Sequence, residues 1–511
     1  MQKTSAHYKI ILPAVPALIH TAISFFTDRL IFTQDPSGML HNYIPCKLLM
    51  FLALYFFWRF LFFGNRKMLK YSLIYLIPMI AVCLFKLPQG FLSNDERLIF
   101  EQAAALADYT WFYYLTTWYY IISMMILPAW FGPILVKLVL ELLVCGYCLQ
   151  RFTDYLDAKY GCLLYAGFLL PPILAYTTSA HRIPIYIFIY LVLMVMMLMD
   201  FLQGIVPGRM KLCGELFLIA LLTQWRTEGI YLALLGPVLM LTAYPSLRKS
   251  SGSVLKLLAA SLLIQYLIAI PQYGILPNRM GDKADNRMGP FYAYTVTNMF
   301  RNGLDLEKNA EDLKQIDRFL RVETIQAIND ELGDINYEDA LILYYPGFTG
   351  VREEAGDEDY KAYVEASKRL FRNNPGVLLK TKLGSFDYAA TVYEIRWEEG
   401  GIRGFAKFLV SIVKTVSYNL YIPMLLLAVL FLYSIAKRRP FTFFLCSCLL
   451  GHWFIVFVLA PASYFKYYFP VYFTTYFWWI MIGIAALYDR RTKPTSGSVR
   501  NPAPSSHQII C

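Results

Sequence analysis

The sequence predicts an all-α, polytopic membrane protein of about twelve transmembrane helices, with interfacial helices on its outer face and an extracytoplasmic insert, mixed α/β or mainly helical. Three observations carry this. Of 511 residues, 57% are hydrophobic and 16% are charged; soluble proteins carry about 25% charged residues, so a water-facing surface could not be covered. Apolar runs of about 20 residues, the length that crosses a hydrocarbon core, recur along most of the chain. Between them stand clusters of Lys and Arg, the mark of cytoplasmic loops. The net charge of +11 is thus a topology signal. It speaks against a nucleic-acid partner, because the basic residues are dispersed and not gathered on one stripe.

Spans are expected near 10–27, 47–64, 71–87, 130–149, 161–176, 184–202, 254–273, 406–435, 441–460 and 467–488. The basic clusters are Arg66, Lys67 and Lys70; Arg151 and Lys159; Arg209 and Lys211; Arg248, Lys249 and Lys256; Lys437, Arg438 and Arg439; and Arg490, Arg491 and Lys493. With Lys3 and Lys9 they put both termini in the cytoplasm. Parity then requires that the stretch between Lys211 and Arg248 cross twice or re-enter, as two short helices split by the polar residues 224–229 at or near the outer face. Between Lys70 and Arg151 three apolar stretches compete for two crossings. The stretch 111–125, rich in Trp, Tyr and Phe, is assigned to the outer interface, where amphipathic rings collect.

The chain divides into an N-terminal membrane region, 1–273, with an outer loop at 88–129; the insert, 274–405; C-terminal membrane helices, 406–490; and a Pro/Ser/Thr-rich disordered tail, 491–511. The insert holds 23 of the 36 acidic and 17 of the 47 basic residues, a net of −6, which leaves +17 on the membrane part. Within it, 307–332 and 359–371 read as amphipathic helices and 341–345 as a short strand. Cys83, Cys145, Cys148, Cys162, Cys213, Cys446 and Cys448 lie in apolar runs and read as buried free thiols. The Cys145-x-x-Cys148 spacing lacks the βαβ context of a redox motif. The chain has no Asn-x-Ser/Thr sequon and no cleavable signal pattern, which points to a multi-pass protein of the bacterial plasma membrane.

Four places carry candidate chemistry. In Ser93-Asn94-Asp95-Glu96-Arg97 an acidic pair follows the third span, ahead of a helix expected over 98–108. A carboxylate there either caps the helix, which acidic residues favour, or accepts a proton from a hydroxyl nucleophile. Trp225-Arg226-Thr227-Glu228-Gly229 breaks an apolar hairpin with an Arg and a Glu, which form an ion pair or serve a cavity. Tyr464-Phe465-Lys466-Tyr467-Tyr468-Phe469-Pro470 opens the last span with a Lys that anchors at the interface or meets a phosphate. His181 and Arg182 precede the sixth span and offer a further phosphate contact. By the charge topology all four lie on the outer side. No Walker motif, G-x-G-x-x-G, H-E-x-x-H or G-x-S-x-G directs the chemistry to the cytoplasm.

In this arrangement the chain resembles the GT-C integral-membrane glycosyltransferases. Asn94-Asp95-Glu96-Arg97 with Ala103-Ala104-Ala105-Leu106-Ala107 is similar to their acidic outer-loop signature. Arg226-Thr227-Glu228-Gly229 matches an Arg-x-Glu-Gly break, and Lys466-Tyr467-Tyr468-Phe469-Pro470 approximates a late Arg-Tyr...Pro motif. The resemblance covers the membrane part from about residue 71 onward and implies a cell-envelope transferase working on the outer face. Its donor would be a polyprenyl-phosphate sugar, and its acceptor a glycan, lipid or protein. The resemblance gives Asp95 the role of general base, with Glu96 as neighbour and substitute, and implies inversion at the anomeric carbon. Arg226, Lys466 and Arg182 are the donor-phosphate candidates, supported by Glu228, Tyr467 and His181. It implies neither metal nor organic cofactor. The late motif departs from the pattern in carrying Lys for Arg, which removes bidentate phosphate recognition there.

Three other readings compete. An envelope polysaccharide polymerase or ligase would rely on outer-loop arginines such as Arg279, Arg287 or Arg301. A lipid or glycan transporter would place ionisable residues at membrane midplane and show inverted repeats; the sequence shows charges at the outer ends of spans and no second copy. A non-catalytic scaffold would tolerate Ala at Asp95, Arg226 and Lys466 together.

Overall fold

The computed structural model describes residues 2–33, 40–86, 94–107, 113–156, 158–272, 284–332, 342, 350–391 and 401–492. Among these residues the chain is helical throughout and has no strands. Among the described residues, nine helices are long and apolar enough to cross a membrane, or ten if one bent pair counts as a span. The chain is therefore an all-α polytopic membrane protein. Two of the twelve expected crossings were the arms of the hairpin between Lys211 and Arg248. Those arms are 17 and 12 residues long, at or below the shortest full crossing of about 17.

Packing separates two units: Met1–Pro277 with Leu425–Leu449 and Phe473–Cys511, and Asn278–Met424 with Leu450–Tyr472. The second begins at Asn278, four residues into the insert expected at 274–405, and takes in 406–424 and 450–472 as well.

In the first unit, α1 (Gln2–Ile31) pairs with α2 (Leu40–Phe63), and α3 (Arg66–Lys86) lies along α6 (Gly132–Tyr155). Gly146 permits the second pairing. A Cβ there would stand 2.1 Å from Ser72 Oγ and 2.6 Å from the Met68 carbonyl, so only Gly lets these backbones approach. A short helix, α5 (Tyr114–Ile126), packs on the α1–α2 pair, and α4 (Asn94–Ala104) packs on α5. The stretch assigned to the interface is α5 from Tyr114 onward. It is 13 residues long and enclosed by its neighbours, with Tyr120, Ile121 and Met124 fully buried.

The span expected at 161–176 is broken. Lys159–Phe168 and Pro171–Thr177 meet at 63°, because Pro171 and Pro172 withdraw two backbone donors where the helix would continue. There follow α7 (Ile183–Gln203), which packs on α6, then the hairpin of α8 (Arg209–Trp225) and α9 (Leu232–Ala243), and α10 (Ser251–Ile270).

The second unit holds α11 (Ala284–Arg301), α12 (Ala310–Asp317), α13 (Val322–Leu332), α14 (Asp357–Asn373), α15 (Pro375–Ala390) and α16 (Gly401–Ser417). On α14, Tyr363, Ala366, Ser367 and Leu370 are buried, the i, i+3, i+4, i+7 stripe of an amphipathic helix. The single helix expected over 307–332 is divided between α12 and α13. Backbone bonds tie 319–321 to 350–352: Arg321 N–H to the Gly350 carbonyl, and Arg352 N–H to the Phe319 carbonyl, both at 3.0 Å. The Asp317 carboxylate then accepts the Val322 N–H at 2.9 Å and starts α13. The expected strand at 341–345 lies outside the described residues, Ile342 excepted.

Finally, α17 (Tyr421–Ala436), α18 (Pro440–Leu459) and α19 (Phe469–Thr492) are three apolar helices. The run expected at 406–435 is one of the membrane-length stretches, Lys407–Ala436, with a short break between α16 and α17. There Asn419 Oδ1 accepts the N–H groups of Tyr421 (2.9 Å) and Ile422 (3.2 Å), an N-terminal cap. The tail from residue 493 lies outside the described residues.

Candidate active site

The acidic pair opens α4, and Glu96 lies in its first turn, at the positive end of the helix dipole. The helix begins four residues earlier than the expected 98. The side chain of Asp95 lies outside the described residues; Glu96 is 1% exposed. A carboxylate so removed from water needs partners, and they come from the residues ahead of α7. His181 donates its Nδ1–H to Glu96 Oε1 at 3.0 Å, and Arg182 Nη1 stands 3.6 Å from the same oxygen. Arg182 is also the residue that caps α7, and it is buried.

Neighbouring helices set the shape of the segment before α7. Lys137 of α6, fully buried, donates to the carbonyls of Tyr176 (3.1 Å), His181 (2.7 Å) and Ser179. A protonated lysine has three donors, which matches three carbonyls. Tyr120 of α5 donates to the Ala180 carbonyl at 2.6 Å. Two helices, α5 and α6, thus fix the loop that grips Glu96.

The far end of α4 is fastened as firmly. Leu106 has a left-handed backbone, φ +52°, which costs a non-glycine residue about 1–2 kcal/mol. Its N–H bonds the Ala103 carbonyl and that of Ala107 bonds Gln102, the Schellman closure of a helix C-terminus. The Leu106 side chain is fully buried in the α1–α2–α5 core, and its carbonyl accepts the Asn42 amide at 2.7 Å. Burial of the side chain offsets the strain.

Arg226 and Glu228 sit at the break between α8 and α9. Arg226 is extended and buried, and it grips Glu228 with both Nε (3.1 Å to Oε2) and Nη2. This fork is an ion pair with its own geometry. Gly229 completes the turn, since a Cβ there would stand 2.4 Å from the Leu222 carbonyl. The Trp225 ring meets Tyr119 of α5 at 5.9 Å, so α5 touches both segments, Tyr120 at the first and Tyr119 at the second.

Lys466 and Tyr467 belong to the second unit. They lie in a 3-10 turn, Phe465–Tyr468, with Lys466 Nζ 4.6 Å from the centre of the Tyr464 ring. The Tyr467 carbonyl accepts from His452 Nε2 at 2.9 Å. Ser463, just before the turn, joins Ser385 (2.6 Å) and Tyr294 in a buried knot of hydroxyls. Of the three proposed phosphate ligands, Arg182 and Arg226 therefore each face a carboxylate of their own, and Lys466 faces tyrosine rings. Arg279 and the side chain of Arg287 lie outside the described residues, while Arg301 ends α11.

Sequence reasoning passed over several buried ionisable groups. Lys47 of α2 bridges Ser24 (2.8 Å) and Asp28 of α1, and Asp28 also accepts the Tyr43 hydroxyl. Glu141 lies one turn beyond Lys137 on α6, 2.9 Å from the Tyr75 hydroxyl. Asp200 meets Arg151 (2.7 Å), Lys211 and Tyr244, and Tyr244 also meets Glu215. Lys137 and Glu141 interrupt the apolar run at 130–149, a signal that was present. In the second unit Lys382, 5% exposed, donates to Thr295 Oγ1 at 3.0 Å and sits 4.7 Å from the centre of the Phe291 ring. Burial pushes its ammonium down to about 7.

Cys145 and Cys148 are buried free thiols on α6. Among the described residues, no three His, Cys, Asp or Glu side chains gather to hold a metal ion. No protein-family model matches the chain, and neither a curated protein nor a solved structure does.

Proposed function

We propose that the chain moves a sugar from a polyprenyl-phosphate donor to an acceptor hydroxyl on the outer face of a bacterial plasma membrane, with Asp95 as general base. The observation that carries this reading is the fastening of α4 at both ends, to His181 and Arg182 at its start and to Asn42 at its close. A base acts only when held within hydrogen-bond reach of the proton it takes. A helix tied at both ends provides such a mount. Glu96 is occupied by two basic side chains, which makes it the positioning residue and leaves proton acceptance to Asp95.

Asp95 would take the acceptor proton as the acceptor oxygen bonds the anomeric carbon and the lipid phosphate departs. Cations offset the leaving charge, and Arg182 and Arg226 of the first unit are the candidates for that role. The test is transfer of labelled sugar from a polyprenyl-phosphate donor in membranes, comparing wild type, Asp95→Asn and Glu96→Gln at matched expression. Transfer is expected to be abolished in the first and reduced in the second. Full activity of Asp95→Asn would overturn the assignment.

A lipid or glycan transporter is the second reading, favoured by the buried ionisable groups of the first unit. Lys47, Lys137 and Glu141 each have partners within it, which fits staples between helices better than a moving charge. Vesicle uptake without transfer would reverse that preference.

A further inference from the structure

The second unit carries an open groove of about 680 Å3, within the range of roughly 300–1,000 Å3 usual for ligand clefts. Its floor is one face of α15. Gly376, Lys380, Leu383 and Asp387 follow at spacings of four, three and four residues, one stripe of a helix. The opposite face of α15, with Thr381, Lys382 and Ser385, is buried. Side chains of other helices form the walls: Asn302 beyond the end of α11, Tyr421 at the start of α17 and Trp453 on α18.

One wall is aromatic. Phe386 stands edge-on to both Tyr421 (5.6 Å between ring centres) and Trp453 (5.8 Å), and Trp453 stacks on Phe457 at 5.0 Å. The polar groups are of mixed character. Lys380 brings a cation and Asn302 an amide, while Asp387 brings a carboxylate whose Oδ1 accepts the Tyr421 hydroxyl at 2.6 Å.

We infer that this groove binds a neutral saccharide. A pyranose presents apolar C–H faces, which suit aromatic walls, and a rim of hydroxyls that both donate and accept. A groove with a cation, a carboxylate and an amide matches that rim. A lipid phosphate would meet the Asp387 carboxylate, and a hydrocarbon chain would bury the Lys380 ammonium and the Asp387–Tyr421 pair away from water. The exposed Leu379 and Leu383 lengthen the apolar floor. The groove needs no transfer chemistry, so the inference extends the transferase reading without resting on it.

The test is saturation-transfer NMR on the full chain in detergent, with cellotriose, chitotriose and mannotriose as probes and farnesyl phosphate as the lipid competitor. At least one trisaccharide is expected to receive saturation at its ring C–H protons. Its affinity should fall at least tenfold in Asp387→Asn and in Gly376→Trp. The second variant fills the groove from a position where a Cβ meets open space, and its helical circular dichroism is expected to match that of the wild type. No saturation with any of the three, or binding that survives both variants, would overturn the inference. So would binding of farnesyl phosphate alone, lost in both variants, which would give the groove to lipid. Because the readout is binding, a chain that binds trisaccharide yet transfers no sugar would count against the transferase reading only.

Discussion

Glu96 and His181 are 85 residues apart in sequence, yet the Glu96 carboxylate accepts the His181 Nδ1–H at 3.0 Å. Both groups are largely withdrawn from water, with side-chain exposures of 1% and 16%. The contact joins the first turn of α4 to the residue before the cap of α7, so a loop carrying acidic chemistry is held by a membrane helix.

Removing Glu96 takes from the buried Arg182 a carboxylate 3.6 Å away. Glu96→Ala is expected to lower stability in detergent by about 3–5 kcal/mol, the usual cost of breaking a buried pair from one side. Arg182→Met combined with Glu96→Gln should recover part of that loss. A double-mutant cycle followed by unfolding fluorescence measures it, and simple additivity would show that the pair is not coupled.

Lys137 satisfies three carbonyls of the segment that bears His181. Lys137→Met keeps the volume and removes every donor, so each carbonyl forfeits about 1 kcal/mol or more. The loss of stability should therefore be about 3 kcal/mol, with faster hydrogen exchange at 176–182 than at α3. Unchanged exchange there would separate Lys137 from the loop.

At Gly146, Gly146→Val drives a side chain into the Met68 carbonyl and Ser72. A destabilisation of about 1–3 kcal/mol follows from overpacking, whereas Gly208→Val, where a Cβ meets open space, serves as the control. Thermal unfolding of the two proteins side by side decides the matter; equal midpoints would mean that α3 and α6 do not approach as described.

For Lys382 the sign of the pH effect is fixed by burial. Its native value of about 7 lies below the ordinary 10.5, so between these values the unfolded chain holds the extra proton. Stability therefore rises with pH across that window, by at most about 4–5 kcal/mol, and the full penalty is present below pH 7. Lys382→Met should be more stable than wild type at pH 6 and lose most of its advantage by pH 10. Denaturant midpoints at the two pH values measure this, and a gap that does not narrow would exclude the mechanism.

Much of the membrane architecture was legible in the sequence because its signals are local. Composition and runs of about 20 apolar residues select membrane helices, and Arg226 with Glu228 ends one of them; the break at Pro171-Pro172 instead divides the single span expected at 161–176. The contact between Arg226 and Glu228 needed only two residues of separation. By contrast, the division of 307–332 depended on backbone bonds to 350–352, which no pattern within the helix reveals.

The same boundary runs through the candidate site. Sequence alone determined the all-α membrane class, the approximate spans, and the residue types that stand out against apolar surroundings: Asp95, Glu96, Arg226 and Lys466. Tertiary structure decided their partners: His181 and Arg182 for Glu96, three carbonyls for Lys137, and a groove along α15 that joins residues from 302 to 453. The physical reason is range. Hydrophobic periodicity and proline breaks act over a few residues, whereas a buried charge is neutralised by whatever group packing brings within about 4 Å, wherever in the chain that group lies.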